Sequence, residues 1–253
     1  MDNLHPLGFF WPTKCDLLHH FMVLQNEGFT WDDSKRGHFC EDFFPPVEIP
    51  IIMHMPWAEC NIQIPPGIYD KVCKIIHTKM DAGMYECSNS LYCSHWFCVA
   101  KKEAMDLCMV HILEPLNAIT IQHSRVTPFT EEIAKLFASC ACGGMLNLNI
   151  GYDEYALAKS SCDYMTFQSL YGMLCLTKLP MGWTNTVPVF HNDVTHILQL
   201  EIPQFTIPYI NNMPVCGPAT TYQCQDGTFK TIPENNGIHH FVWDHFRTEL
   251  SSI

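Results

Sequence analysis

Arginine is scarce in this 253-residue chain, which carries it only as Arg36, Arg125 and Arg247. With 14 Lys and Arg against 26 Asp and Glu, the formal net charge is -12. Polyanion binding relies on basic side chains that neutralise phosphates, so the composition opposes a nucleic-acid partner. No uninterrupted apolar run reaches the roughly 18 residues that a spanning helix needs. Met1-Asp2-Asn3-Leu4-His5-Pro6 also lacks the basic start and apolar centre of a signal peptide. These absences predict a soluble, intracellular chain with no membrane partner. The Cys-x-x-Cys pair of zinc modules is missing despite 14 cysteines. Cys140-x-Cys142, the Cys93 and Cys98 pair, His19-His20 and His239-His240 follow no standard ligand spacing, so packed, reduced thiols are expected.

Hydrophobic residues make up 47% of the chain, enough to bury a substantial core in one large domain or two small ones. Cysteine and histidine, at 14 each, and 13 methionines stand against the shortage of arginine. Cytosine deamination at CG steps makes this exchange, turning Arg codons into Cys, His, Gln or Trp codons. The wider C-to-T change, read on the opposite strand, turns Asp into Asn. The composition therefore reads as that of a gene drifted by this route.

Periodicity organises the chain. Leu17, Leu18, Phe21, Met22 and Leu24 recur at helical spacing before Gly28. Phe43-Phe44-Pro45-Pro46 and Pro50 then impose an extended arm, so residues 1–60 read as an N-terminal helix and connector. Pro65-Pro66-Gly67 opens a helix through Ile68, Val72, Ile75, Ile76 and Met80 that stops near Gly83. Trp96 to Val99 and Leu107 to His111 flank a polar connection and predict a hairpin. Thr127-Pro128 predicts a helix start, with Glu131 and Glu132 in its first turns. A short strand is expected from Met145 to Ile150. Further strands are expected at Met173 to Leu179 and Phe205 to Ile210, around a helix from about Val187 to Leu200. Ile238, Phe241, Val242, His245 and Phe246 mark a last helix. Helices and strands mix without regular βαβ alternation, which predicts an α+β sheet domain over residues 61–253.

Several short segments carry a family resemblance by their order and spacing. They are Ile64-Pro65-Pro66-Gly67-Ile68-Tyr69, Ser94 to Lys102, Leu113-Glu114-Pro115-Leu116-Asn117, Cys142-Gly143-Gly144-Met145-Leu146-Asn147, Leu179 to Asn185, and Pro208-Tyr209-Ile210-Asn211-Asn212. Together they resemble the reverse transcriptase of gypsy-type long-terminal-repeat retrotransposons, most of all the copies in fungal genomes. The resemblance implies a right-hand polymerase, with fingers from the hairpin near Lys101 and Lys102 and a palm sheet holding Asn147 and Asn211. Thumb, ribonuclease H and integrase would lie beyond Ile253, making the chain a fragment of a longer polyprotein or a decayed remnant of one. The family's partners are an RNA or DNA template-primer and deoxynucleoside triphosphates, and its cofactor is two Mg2+.

In the family, aspartates stand at the positions of Asn147, Asn211 and Asn212. Two-metal phosphoryl transfer needs carboxylates that hold both ions, and hard Mg2+ is a poor match for neutral amides. A formal site charge of about -3 becomes zero, so neither a bound metal nor polymerase activity is expected. Asp153, Glu154 and Asp193 do not fall in the required frame. On its own, Asn211-Asn212 could be a plain turn, for which Asn is suited.

The resemblance also implies substrate-positioning roles. Tyr152 falls where the family blocks the ribose 2′-hydroxyl, a position that an ordinary core tyrosine would also fit. Lys101 matches a basic fingertip, or a solvated hairpin lysine. Cys108 stands where an arginine usually holds triphosphate oxygens, and a thiol offers neither its charge nor its fork. Met181 and Gly182 match the segment beneath the templating pair, where Gly would permit close backbone approach; a loop before a helix is equally adequate. Two other readings remain: a non-enzymatic nucleic-acid or protein-binding module on the same fold, and, against the ligand spacing, a Cys/His metal-binding protein.

Overall fold

A computed structural model of the chain describes residues 11–29, 39–40, 44–59, 61–100, 107–124, 127–148, 152 and 155–251, with side chains as far as residue 246. Its first half holds α1 (Pro12–Leu24), α2 (Tyr69–Asp81), β1 (Tyr85–Cys87), β2 (Trp96–Ala100), β3 (Leu107–His111) and α3 (Glu114–Ile119). Then come α4 (Thr130–Ala138), β4 (Gly143–Asn147), α5 (Lys159–Cys162), β5 (Thr166–Ser169), β6 (Gly172–Leu176) and α6 (Thr186–Ile197). The last elements are β7 (Asn212–Cys216), β8 (Thr231–Ile232), β9 (Asn235–His239) and α7 (His240–Ser251). The fold is α+β, and its described strands pair antiparallel within sheets.

The chain forms two compact units. One gathers Met1–Arg36, Val126–Asn149 and His191–Ile253, and the other Gly37–Arg125 and Ile150–Phe190. In the second unit, the proline-rich stretch from Phe44 to Glu59 cannot supply a full set of ladder donors. It stays extended, held by single bridges from Val47 to Leu157, Ile51 to Thr120 and Ala58 to Cys93. Pro66 enters a 3₁₀ turn that leads into α2. Val72 and Ile76, four apart on one helix face, are fully buried. Strands β1, β6 and β5 form a three-stranded sheet. Phe167 of the edge strand β5 is fully buried, ring to ring with Tyr85 at 5.1 Å and with His111 at 4.6 Å. β2 and β3 form the expected hairpin, from Trp96 opposite His111 to Ala100 opposite Leu107.

The first unit is built around β4 and β7, paired from Gly143 opposite Cys216 to Asn147 opposite Asn212. Gly143 is needed for packing, because a Cβ there would come within 2.7 Å of the Phe137 ring. Helix α1 is tied to the chain's far end. Thr13 Oγ1 donates to the Gly237 carbonyl at 2.7 Å, Lys14 Nζ meets His239 Nδ1 at 2.9 Å, and the Phe21 and Phe246 rings lie 5.3 Å apart.

Several boundaries differ from the sequence expectation. The helix predicted from Thr127-Pro128 starts at Thr130, with Phe129 extended as its N-cap at ψ 136°. Phe205 to Ile210 is not a strand. Pro208 lacks a ladder donor, and only single bridges form at Thr206 and Tyr209. The strand lies instead at Asn212–Cys216. Ile238 belongs to β9, and the last helix begins at His240.

Candidate active site

The site is the tight turn that enters β7 together with the end of β4, all within the first unit. Tyr209 and Asn212 exchange both backbone hydrogen bonds, N–H to O at 2.8 and 2.9 Å, which closes a two-residue loop over Ile210 and Asn211. The Asn211 carbonyl accepts from Leu148 N–H at 2.8 Å and so ties the loop to the chain leaving β4. The two-residue length fits the local twist, since such loops take primed turns with a positive φ at a central position.

That positive φ falls on Ile210, at +57°. A β-branched residue there is a true outlier, of a kind that costs about 1–3 kcal/mol and persists only where the surroundings impose it. Asn tolerates this conformation far better, yet neither Asn211 nor Asn212 takes it. Asn212 is already a strand residue. A loop selected for turn propensity alone would carry Asn or Gly at position 210. Asn211 thus sits in the loop and Asn212 opens β7, and neither amide bears the loop's positive φ.

Asn147 ends β4, is exposed, and faces Asn212 directly. Its Nδ2 donates to Asn212 Oδ1 at 2.8 Å. Two of the three expected amide positions are thus side-chain neighbours, and the third, Asn211, lies in the loop between Tyr209 and Asn212. An amide can serve as both donor and acceptor, whereas an ionised carboxylate only accepts. The contact therefore exists because these residues are amides. Two carboxylates at this separation would repel by about 1.5 kcal/mol even in water. A divalent cation would be met here by neutral groups, one of which gives its N–H to the other. These residues do not fit a pair of Mg2+ ions, and among the described residues no cluster of three or more His, Cys, Asp or Glu is placed to hold a metal.

The predicted substrate-positioning residues fall in the second unit or outside the described residues. Lys101, Lys102, Asp153 and Glu154 are outside them. Cys108 is exposed on β3 opposite Val99, its thiol directed at the Met109 carbonyl 3.7 Å away. Tyr152 is half-buried and edge-on to Phe190, with ring centroids 5.0 Å apart, and burial pushes its phenol upward. Met181 is exposed. Gly182 has φ +96° with no atom within 4 Å of a built Cβ, so glycine serves the backbone conformation here and not a close approach. Asp193 lies in α6 of the first unit, where Asn192 Nδ2 donates to its Oδ1 at 3.2 Å.

Sequence reading missed one organiser. Asn117 Nδ2 donates to the Gly182 carbonyl at 2.9 Å and its Oδ1 accepts from Thr184 N–H at 2.8 Å, clamping the Met181-Gly182-Trp183 loop onto α3. Asn185 repeats the device, with Nδ2 donating to the Ile121 carbonyl and Oδ1 accepting from His123 N–H, both at 2.9 Å. Trp183 Nε1 donates to Thr120 Oγ1 at 3.0 Å. The segments Leu113 to Asn117 and Leu179 to Asn185, singled out separately, are two halves of one structure.

No family model matches the chain. An RNA-directed DNA polymerase homolog of Oenothera berteroana is 24% identical over 100 residues, covering 40% of this chain and 70% of the relative. Among solved structures, the native prototype foamy virus protease-reverse transcriptase is 17% identical over 96% of this chain with a TM-score of 0.72, covering 29% of that protein. Foamy viral protease-reverse transcriptase in complex with RNA/DNA hybrid is 16% identical over 82% of this chain, covering 27% of that protein, with a TM-score of 0.68. The form in complex with double-stranded DNA is also 16% identical, over 96% of this chain and 39% of that protein, with a TM-score of 0.70. The chain spans less than half the length of each of these structures. Its fold is that of a reverse transcriptase.

Proposed function

We propose that this chain is the fingers and palm of a gypsy-type retrotransposon reverse transcriptase whose polymerase chemistry has been lost. The observation that carries this reading is the Asn147–Asn212 amide hydrogen bond, at 2.8 Å, in a ladder that ends beside the strained Ile210 loop. A loop that keeps its strain while its ligands are neutral is the relic of a site once shaped by charge. With Asn at 147, 211 and 212, nothing in the loop or at the end of β4 can neutralise two divalent ions or the charge developing on a transferred phosphoryl group. Cys108 removes a further charge from the nucleotide-facing position assigned by resemblance.

The test is primer extension on an RNA template with Mg2+ and deoxynucleotides, run on the chain and on the triple variant Asn147→Asp, Asn211→Asp, Asn212→Asp. No extension is expected from the parent, and any extension by it overturns the reading. Product from the triple variant would place the defect in the amides; silence from a folded triple variant would place part of it at Cys108 or elsewhere.

A second reading, a non-enzymatic nucleic-acid-binding module, draws on structural neighbours held in complexes with RNA/DNA hybrid and with double-stranded DNA. The net charge of -12 weighs against it. Titrating a fluorescent RNA/DNA hybrid at low salt separates the two readings, because a retained module would bind with an affinity that falls steeply as salt rises.

A further inference from the structure

His239 and His240 are adjacent in sequence and take no part in the polymerase reading, and the fold gives them different neighbours. His240 opens α7 with its Nδ1 3.1 Å from Asp244 Oδ2. His239 closes β9, is 8% exposed, and has its Nδ1 2.9 Å from Lys14 Nζ on α1. The residue before Lys14 fixes that meeting. Gly237 and His239, two apart on β9, share a face of the strand, and α1 lies against it. Thr13 Oγ1 donates to the Gly237 carbonyl at 2.7 Å, and a Cβ on Gly237 would come within 2.5 Å of that hydroxyl oxygen, so the bare glycine lets α1 approach.

A lysine Nζ donates, so His239 Nδ1 accepts and the imidazole is neutral. Aromatic rings surround the pair. Nζ lies 4.7 Å from the centre of the Trp11 ring and 5.9 Å from that of Phe241, while the His239 ring lies 4.6 Å from Trp11 and 5.2 Å from Phe229. Trp11 and Phe229 are exposed and Lys14 is half-buried, so the amine has apolar walls and still meets solvent. Burial pushes the Lys14 amine below its usual value against the opposing pull of Cys142, and burial first, then Lys14, lowers His239.

We propose that Lys14 is an acylation site, at which an acyl thioester transfers its acyl group to Nζ while His239 accepts the displaced proton. The neutral Nζ attacks the thioester carbonyl carbon; the C–N bond forms, the C–S bond breaks, and the sulfur leaves as a thiolate. One Nζ proton passes to His239 Nδ1 and on to the thiolate, so a thiol departs and the imidazole returns to its neutral form. No oxidation state changes. The product suits this place better than the amine does: the new amide keeps one N–H for His239 Nδ1 and sheds the charge that burial penalises. A neutral imine, the product of an aldehyde, would have no N–H left for that bond, which favours an acyl donor.

Incubation of the chain with acetyl-coenzyme A, digestion with a protease that does not cut at lysine, and mass spectrometry over time test this. Lys14 should be acetylated about tenfold or more faster than the exposed Lys74 and Lys135, the advantage of a positioned base. His239→Asn keeps a hydrogen-bond acceptor near the place of Nδ1 but removes the base, and should bring Lys14 down to the rate of those two. Unfolding the parent chain in urea should abolish the preference without any substitution, which covers a variant that does not fold. The proposal is overturned if Lys14 in the folded parent reacts no faster than Lys74 and Lys135, or if its preference persists in urea. It also fails if a folded His239→Asn chain acetylates Lys14 as fast as the parent.

Discussion

Asn147 gives a side-chain proton to Asn212 across the last rung of the β4–β7 ladder, with nitrogen and oxygen 2.8 Å apart. In sequence these residues stand 65 positions apart. The contact uses the donor that an ionised aspartate lacks, and it joins the ends of the two paired strands.

Placing charge at these two positions should therefore destabilise the fold. In the Asn147→Asp, Asn212→Asp variant, two carboxylates replace the amide pair and repel by about 1.5 kcal/mol or more at neutral pH. Urea unfolding at pH 7 should show that loss relative to the parent, and much less of it near pH 4, where one carboxyl can keep its proton and donate. Added Mg2+ should recover part of the loss in the variant only. A variant as stable as the parent at pH 7 would mean that the hydrogen bond has no energetic role.

Ile210 holds φ +57°, where glycine carries no Cβ penalty. Relief of strain in Ile210→Gly should offset the lost side-chain packing and the added backbone entropy, leaving stability within about 1 kcal/mol of the parent. A loss of about 3 kcal/mol or more, of the size seen when a core Ile is truncated, would instead make Ile210 a core residue whose packing outweighs its backbone strain.

Gly182 makes the opposite case, because its φ of +96° is beyond the usual range of a side-chain-bearing residue although the space around it is open. Gly182→Ala should cost about 1–2 kcal/mol through the backbone alone. Asn117→Ala should cost a comparable amount, by leaving the Gly182 carbonyl and the Thr184 amide without their partner. Thermal melts of the two single variants and the double variant would show whether their effects overlap, as one shared loop requires.

His111 predicts a pH dependence. Its Nε2 lies 3.0 Å from the Tyr85 hydroxyl, and the Phe167 ring packs against it. Burial first, then the Lys79 charge, lowers its pKa from 6.5 to about 3. The folded value lies below the unfolded one, so the unfolded chain takes up the proton first. The stability held above pH 6.5 drains away as pH falls toward 3, at up to about 1.4 kcal/mol per pH unit. His111→Gln, which can still hydrogen-bond to Tyr85, should flatten that part of the pH profile relative to the parent. Identical slopes for the two proteins would show that His111 does not titrate across this range.

Local rules made much of the fold readable before any coordinates. Val72 and Ile76 at helical spacing, the prolines that open α2 and keep residues 44–59 extended, and the β-rich runs flanking Lys101 all act within a few residues of themselves, and the corresponding elements are present. The order of short segments carried the resemblance to a reverse transcriptase, and the fold agrees with it at a TM-score of 0.72. Local rules failed where a distant partner decides. Phe205 to Ile210 has strand composition but lacks a continuous ladder, whereas Asn212–Cys216, interrupted by Pro214, is a strand because β4 lies beside it. The amides of Asn147, Asn211 and Asn212 were visible in the sequence, but the contact between two of them was not. Side-chain hydrogen bonding across a ladder depends on register, and register is set by long-range pairing. The same holds for the positive φ borne by Ile210 when Asn211 stands next to it and for the Asn117 clamp on Gly182. Composition and spacing name the groups a chain possesses; only the packing of strands distant in sequence determines which of those groups touch.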